Sequence, residues 1–130
     1  MKDILIYIFY RNSVQGNILK YHLGSNGFNH VRHFTTPDDC LYAIQRINHP
    51  DFIILVPGES VVESLKLIQL VRQIDGMIDV IVYATNHDET NSIDFLNAGA
   101  SDYIVRSGNH QNSLRELVAN LQFILKEKNY

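Results

Sequence analysis

Five short apolar runs punctuate the chain: ILIYIFY from Ile4, HVRHF from His30, DFIILV from Asp51, DVIVYA from Asp79 and DYIV from Asp102. Each is rich in β-branched and aromatic residues and is separated from the next by a longer stretch of helical spacing, so each predicts a strand. In the intervals, Ser13 to Leu23 carries Val14, Ile18, Leu19 and Leu23, and Pro37 to Ile47 carries Cys40, Leu41, Ile44 and Ile47. Ser60 to Ile74 shows Val61, Leu65, Ile68 and Val71, and Thr90 to Asn97 shows Ile93 and Leu96. The segment from Asn112 shows Leu114, Leu117, Val118, Leu121 and Leu125. These spacings predict five amphipathic helices alternating with the five strands.

The punctuation agrees. Gly24 and Gly27 end the first helix, Asp75-Gly76 the third and Asn97-Ala98-Gly99 the fourth; Thr36-Pro37 opens the second and Ser113 caps the fifth. DFIILV and VIVYA are continuously apolar, as strands covered on both faces are, which predicts a parallel sheet between two helix layers: an α/β fold. Right-handed crossovers then place ligands and chemistry at the carboxyl ends of the strands. Those ends are Tyr10 to Ser13, Val56 to Ser60, Ala84 to His87 and Arg106 to Gly108.

Composition narrows the function classes. With 130 residues, 45% hydrophobic, residues 1–130 fit one domain with a single good core. A net charge of −3 without blocks of either sign speaks against nucleic-acid binding, and the apolar runs are too short to span a membrane. A soluble, cytoplasmic protein is expected. Cys40, the single cysteine, sits in a helical pattern and reads as a core residue. The six histidines, His22, His30, His33, His49, His87 and His110, form no pair at helical ligand spacing, so no metal site is expected. No phosphate-binding loop of the G-x-x-x-x-G-K-[ST] or G-x-G-x-x-G type occurs, and no cofactor is expected.

AGASDYIVRSG, Ala98 to Gly108, resembles the AGAxDYxxKP ending of response-regulator receiver (CheY-like) domains, and PDFIILV resembles their PDLxxxD third strand. The resemblance covers essentially the whole chain and implies the flavodoxin-like (βα)5 fold, one five-stranded parallel sheet in the order 2-1-3-4-5 with helices on both faces. It also implies two acidic residues after strand one, a phospho-accepting aspartate ending strand three, a threonine or serine after strand four and a lysine after strand five. Ungapped spacing puts these at Tyr10 and Arg11, Val56, Ala84 and Arg106, none of which is the family residue. A one-residue shift at the end of strand four would bring Thr85 to the hydroxyl position.

The departures carry chemical consequences. Val56 has no nucleophilic oxygen, so there is no phosphorylation site and no catalytic residue. Tyr10 and Arg11 offer a phenol and a guanidinium where magnesium needs carboxylates, and Arg11 would repel a cation by roughly 4 kcal/mol per unit charge. No magnesium is expected. Asp51 lies at the wrong edge of the sheet to replace the acceptor, and Glu59 is the one carboxylate within reach of the pocket. Arg11 and Arg106 either converge near the start of helix one as an anion site, or each pairs with a nearby carboxylate such as Glu59 or simply reaches water.

The resemblance therefore implies a degenerate receiver that signals by protein–protein interaction or self-association through the helix 4–strand 5–helix 5 face. Candidate residues there are Phe95, Tyr103 and Phe123; Phe95 and Phe123 each stand about 200° around their helices from the stripe residues Ile93 and Leu121. The alternative class is a small flavodoxin-like ligand-binding or enzyme domain. Against it, YRNSVQGN after strand one is a poor flavin phosphate loop, and Cys40 is not at a strand end.

Overall fold

The structure is a computed structural model, and the residues it describes are 3–84, 89–106 and 109–128. Strands β1 (Leu5–Phe9), β2 (His30–Phe34), β3 (Phe52–Leu55), β4 (Asp79–Ala84) and β5 (Asp102–Val105) alternate with helices α1 (Ser13–Ser25), α2 (Pro37–Arg46), α3 (Val61–Ile74), α4 (Glu89–Ala98) and α5 (His110–Glu127). The strands form one parallel sheet in the order β2-β1-β3-β4-β5. This is the expected order. No helix of the described residues is long and apolar enough to cross a membrane.

The period-two alternation of strand side chains divides the interior into two cores. Tyr7, Phe9, Ile53, Leu55, Val80 and Val82 point to one side and pack with Cys40, Ile44, Leu67, Ile68, Val71 and Phe95 from α2, α3 and α4. Ile6, Ile8, Ile54, Ile81, Tyr83 and Ile104 point to the other and pack with Leu19 and Leu23 of α1 and Leu117, Val118 and Leu121 of α5. Cys40 is fully buried, and burial pushes its thiol up to about 12, so it behaves as the small core residue its position suggested.

The helix ends follow local chemistry, with two changes from the sequence reading. Asn12, Thr36 and Ser60 cap α1, α2 and α3 by accepting from Gln15, Asp39 and Glu63 amides. The cap of α5 is Asn109, which accepts from the amides of Gln111 and Asn112; Ser113 lies a turn inside, buried, with its hydroxyl donating back to the Asn109 carbonyl. Helix α1 runs through Gly24 to Ser25 and is turned by Gly27 at φ +93°. Gly99, at φ +120°, does the same after α4, where the Ala100 amide reaches back to the Phe95 carbonyl. Its own carbonyl accepts from Nε and Nη2 of Arg72, which ties α3 to this turn.

The phase of two helices is the main correction. In α4, Ile93 and Leu96 are 57% and 47% exposed, and Phe95 is buried at 1%, its ring stacked on that of Tyr103 with centroids 5.9 Å apart. Phe95 is therefore a core residue and leaves the set of exposed candidates. A ten-residue helix with three large apolar side chains has too little periodic signal to set its phase, and the bulkiest of the three takes the sheet-facing position. In α1, Val14 and Ile18 are likewise exposed, with Gly16, Leu19 and Leu23 facing inward. Ile47, just past α2, is half exposed. Phe123, at 63% exposure, stands clear of the core as expected.

The two phenylalanines should respond oppositely to truncation. Phe95→Ala is expected to cost about 3–5 kcal/mol in chemical denaturation, and Phe123→Ala to stay within about 0.5 kcal/mol of the parent. Equal losses would mean that the phase of α4 or α5 is wrong.

Candidate functional site

The sheet hands its chemistry to the residues just past the strand ends. Hydrogen bonds donated by the amides of Tyr10 to the Phe34 carbonyl (3.1 Å), of Val56 to the Phe9 carbonyl (2.9 Å) and of Arg106 to the Ala84 carbonyl (2.6 Å) carry the parallel ladders one step beyond the strands. Tyr10, Val56, Ala84 and Arg106 are thereby held along one edge of the sheet, with Arg11 next to Tyr10. Val56 is 2% exposed and belongs to the core shared with α1 and α5; Ala84 is buried in the opposite core. Thr85, Asn86 and His87, after β4, and Ser107 and Gly108, after β5, lie outside the described residues.

Tyr10 is fixed from two directions. Its carbonyl accepts a hydrogen bond at 2.7 Å from Nε2 of His33, whose ring lies against Gly16; a Cβ on that glycine would fall inside the imidazole. Its hydroxyl accepts from Nη1 of Arg106 at 3.2 Å. The Arg106 guanidinium sits 5.6 Å from the centre of the Tyr10 ring and 5.3 Å from that of Tyr83, within the range of cation–π attraction. Its Nε is buried with no hydrogen-bond partner among the described residues. Burial raises the Tyr83 phenol above its ordinary value; Arg106 opposes the shift, Glu116 adds to it and a bond with Ser113 opposes it.

Arg11 takes a different partner from the one expected. Its Nε donates to Oε1 of Glu63 at 2.9 Å and its Nη2 to Oε2, a bidentate pair that Glu59 has no part in. That hydrogen bonding, more than plain charge attraction, holds the Glu63 carboxyl below the usual carboxylate range. A carboxyl lowered in this way stabilises the fold above its ordinary range and loses that contribution as pH falls through the lowered value. Both partners stand largely in water, so the contribution is small and screened by salt. Glu63 was visible in the sequence as the last residue of a Ser60-x-x-Glu63 capping box; the serine caps as that motif requires, and the glutamate turns to Arg11 instead.

Two clefts open on either side of Tyr10. One, of about 600 Å³, is bordered by Arg11, Val56, Gly58, Glu59 and Glu63. The other, of about 340 Å³, runs between α1 and α5 and contains Arg106, Tyr83, Ile18 and Leu114. The two arginines thus line different clefts and do not converge at the start of α1.

No cluster of three or more potential metal ligands occurs among the described residues. His49 pairs with Asp75 at 2.9 Å and His30 lies 3.7 Å from Asp3, contacts that the sequence did not signal. His87 and the His110 side chain lie outside the described residues. Asp51 is occupied at the opposite end of the sheet, where its carboxylate accepts from the Leu5 amide at 2.9 Å.

No protein-family model and no curated protein matches the chain. Solved structures do. A two-component response regulator from Clostridium difficile superimposes with a TM-score of 0.83 at 20% identity, covering 98% of this chain and 99% of that one. A CheY-like response-regulator receiver domain from Methanospirillum hungatei JF-1 gives 0.82 at 22% identity, with 98% of both chains covered. An orphan response regulator of H. pylori gives 0.75 at 21%, covering 92% and 93%. With the strand order and both helix layers in agreement, this chain has the fold of the response-regulator receiver domain.

Proposed function

We propose that this chain is a receiver-like signalling domain that has lost phosphotransfer and works through contacts with other proteins or with itself. The observation that carries the reading is Val56. It occupies the place after β3 where a receiver would hold its acceptor aspartate, and it is a buried hydrocarbon with no oxygen to phosphorylate. Its surroundings point the same way. Tyr10 and Arg11 replace an acidic pair, and Arg11 is already satisfied by Glu63, so the site presents a cation where a metal would need carboxylates. Ala84 offers no hydroxyl, and Arg106 is engaged with the Tyr10 phenol and two aromatic faces.

The contact face we assign is α4–β5–α5. Ile93 and Leu96 stand exposed on α4 and Phe123 on α5, with Tyr103 half-buried on β5. Large apolar side chains kept in water provide contact area at a partner surface. Tyr103 stacks on Phe95 and so belongs to the support of this face more than to its rim. Association is constitutive in this reading, since nothing at Val56 can be switched by phosphate.

Acetyl phosphate or beryllofluoride with magnesium is expected to change neither the intact mass nor the amide shifts around Val56 and Ala84. Val56→Asp alone should take up no phosphate and should destabilise the fold by about 3 kcal/mol, because a lone carboxylate enters a buried site. Phosphate uptake by the parent or by this single variant would overturn the assignment of the site.

The face is tested separately. Replacing Leu96 and Phe123 together by serine should leave the thermal midpoint nearly unchanged and weaken self-association in ultracentrifugation or partner retention in pull-down. A double variant that associates as well as the parent would move the contact surface elsewhere.

A further inference from the structure

The cleft between α1 and α5 has a composition that the signalling reading does not use. Its volume, about 340 Å³, is at the lower end of the range in which proteins hold small molecules. It opens at the carboxyl ends of β1, β4 and β5, the side of an α/β sheet on which ligands bind. One wall is apolar, from Ile18 and Leu19 of α1 and Leu114 of α5. Tyr10, Tyr83 and His22 add aromatic rings to the lining, and Gln15 and Gln111 add side-chain amides.

Arg106 is the one permanent cation among the described lining residues, and no carboxylate forms an ion pair with it among the described residues. A guanidinium has five N–H donors. Among the described residues Arg106 uses Nη1, on a neutral phenol, and its buried Nε is unsatisfied. The buried Nε is out of reach of the cleft, but Nη2 has no hydrogen-bond partner among the described residues, and a carboxylate is the acceptor whose geometry matches the guanidinium fork. Ile18, at 44% exposure on the wall of the same cleft, is apolar surface that an occupant would cover. A single cation suits a single negative charge.

We propose that the α1–α5 cleft binds a small monocarboxylate with an apolar or aromatic body, its carboxylate on Arg106 and its body against Ile18, Leu19 and Leu114. Tyr10 and Tyr83, with ring centres 5.6 and 5.3 Å from the guanidinium carbon, flank it in the cleft. The proposal does not rest on the partner-binding reading, since it concerns the isolated chain and a different face.

The test is a titration of the ¹⁵N-labelled chain with benzoate and with 3-phenylpropionate, using benzamide as the neutral counterpart and acetate and inorganic phosphate as bodiless anions. Saturable shifts of the Gln15, Ile18 and Leu114 amides are expected with an aromatic carboxylate, with benzamide, acetate and phosphate each at least about tenfold weaker. Arg106→Gln should weaken the carboxylate about tenfold or more and leave benzamide unchanged, and Arg106→Lys should fall between, keeping the charge without the fork. Leu114→Trp, which fills the cleft while keeping Arg106, should abolish binding. Absence of saturable shifts with both carboxylates, equal binding of benzamide, or undiminished binding by folded Arg106→Gln or Leu114→Trp would each overturn the proposal. Shifts confined to the cleft beside Arg11 and Glu63 would do so as well.

Discussion

In a parallel sheet with helices on both faces the central strands have almost no side chain to spare for solvent, and this constraint governs where the molecule can act. In β1 the alternation sends Ile6 and Ile8 to one core and Tyr7 and Phe9 to the other, all at 1% exposure or less. The same holds through β3 and most of β4. Along the central strands polar chemistry therefore gathers at the residues immediately past the strands, where the last ladder hydrogen bonds still fix the backbone. Tyr10, Arg11, Val56 and Arg106 all occupy such positions. What each can do is decided by its own side chain, because the backbone at these places is dictated by the sheet.

Within that edge, Tyr10 organises what surrounds it. Gly16 lets the His33 ring approach, His33 holds the Tyr10 carbonyl, and Arg106 holds the Tyr10 hydroxyl from the opposite side of the sheet edge. The chain of contacts runs from β2 through β1 to the end of β5, joining strands that are not neighbours. A phenol so placed separates the two clefts. It also keeps the two guanidiniums on different partners, one on Glu63 and one on aromatic faces, which avoids bringing like charges together over the end of the sheet.

Much of the fold was legible in the sequence, for physical reasons that also explain the failures. Continuous runs such as DFIILV and VIVYA read as strands covered twice, and α5 buries Leu117, Val118 and Leu121 where spacing put them, while α3 buries Ile68 and Val71 as expected but leaves Val61 and Leu65 partly exposed and turns Ser64 and Leu67 inward. Helix α4 has three large apolar residues in ten, and α1 has a glycine on its inner face; there the side of the helix that packs is chosen by shape, Phe95 against Tyr103 and Gly16 beneath His33, and a hydrophobicity pattern carries no information about shape. At the strand ends, residue identities were readable and partners were not. Glu63 meets Arg11 across 52 positions of chain, and Arg106 meets Tyr10 across 96, separations at which only the folded topology decides who is adjacent.

If the chain is the degenerate receiver proposed above, the side chains at the sheet edge also change what kind of response the domain can give. A cluster of carboxylates held together at the end of a sheet is under mutual repulsion, relieved by a bound cation, and it is this poised cost that lets a small chemical event be felt. Here the corresponding positions are settled without any added group: Val56 contributes to the core, Arg11 is neutralised by Glu63, and Ala84 is buried against the helices of the opposite face. In the reading proposed above, such a site has little differential affinity to offer a phosphoryl group or a metal, and without differential affinity no ligand shifts a conformational equilibrium. Whatever free energy remains to be gained on this molecule lies where groups are left unsatisfied. Among the described residues those include the apolar side chains in water on α4 and α5, and the Arg106 guanidinium beside the α1–α5 cleft.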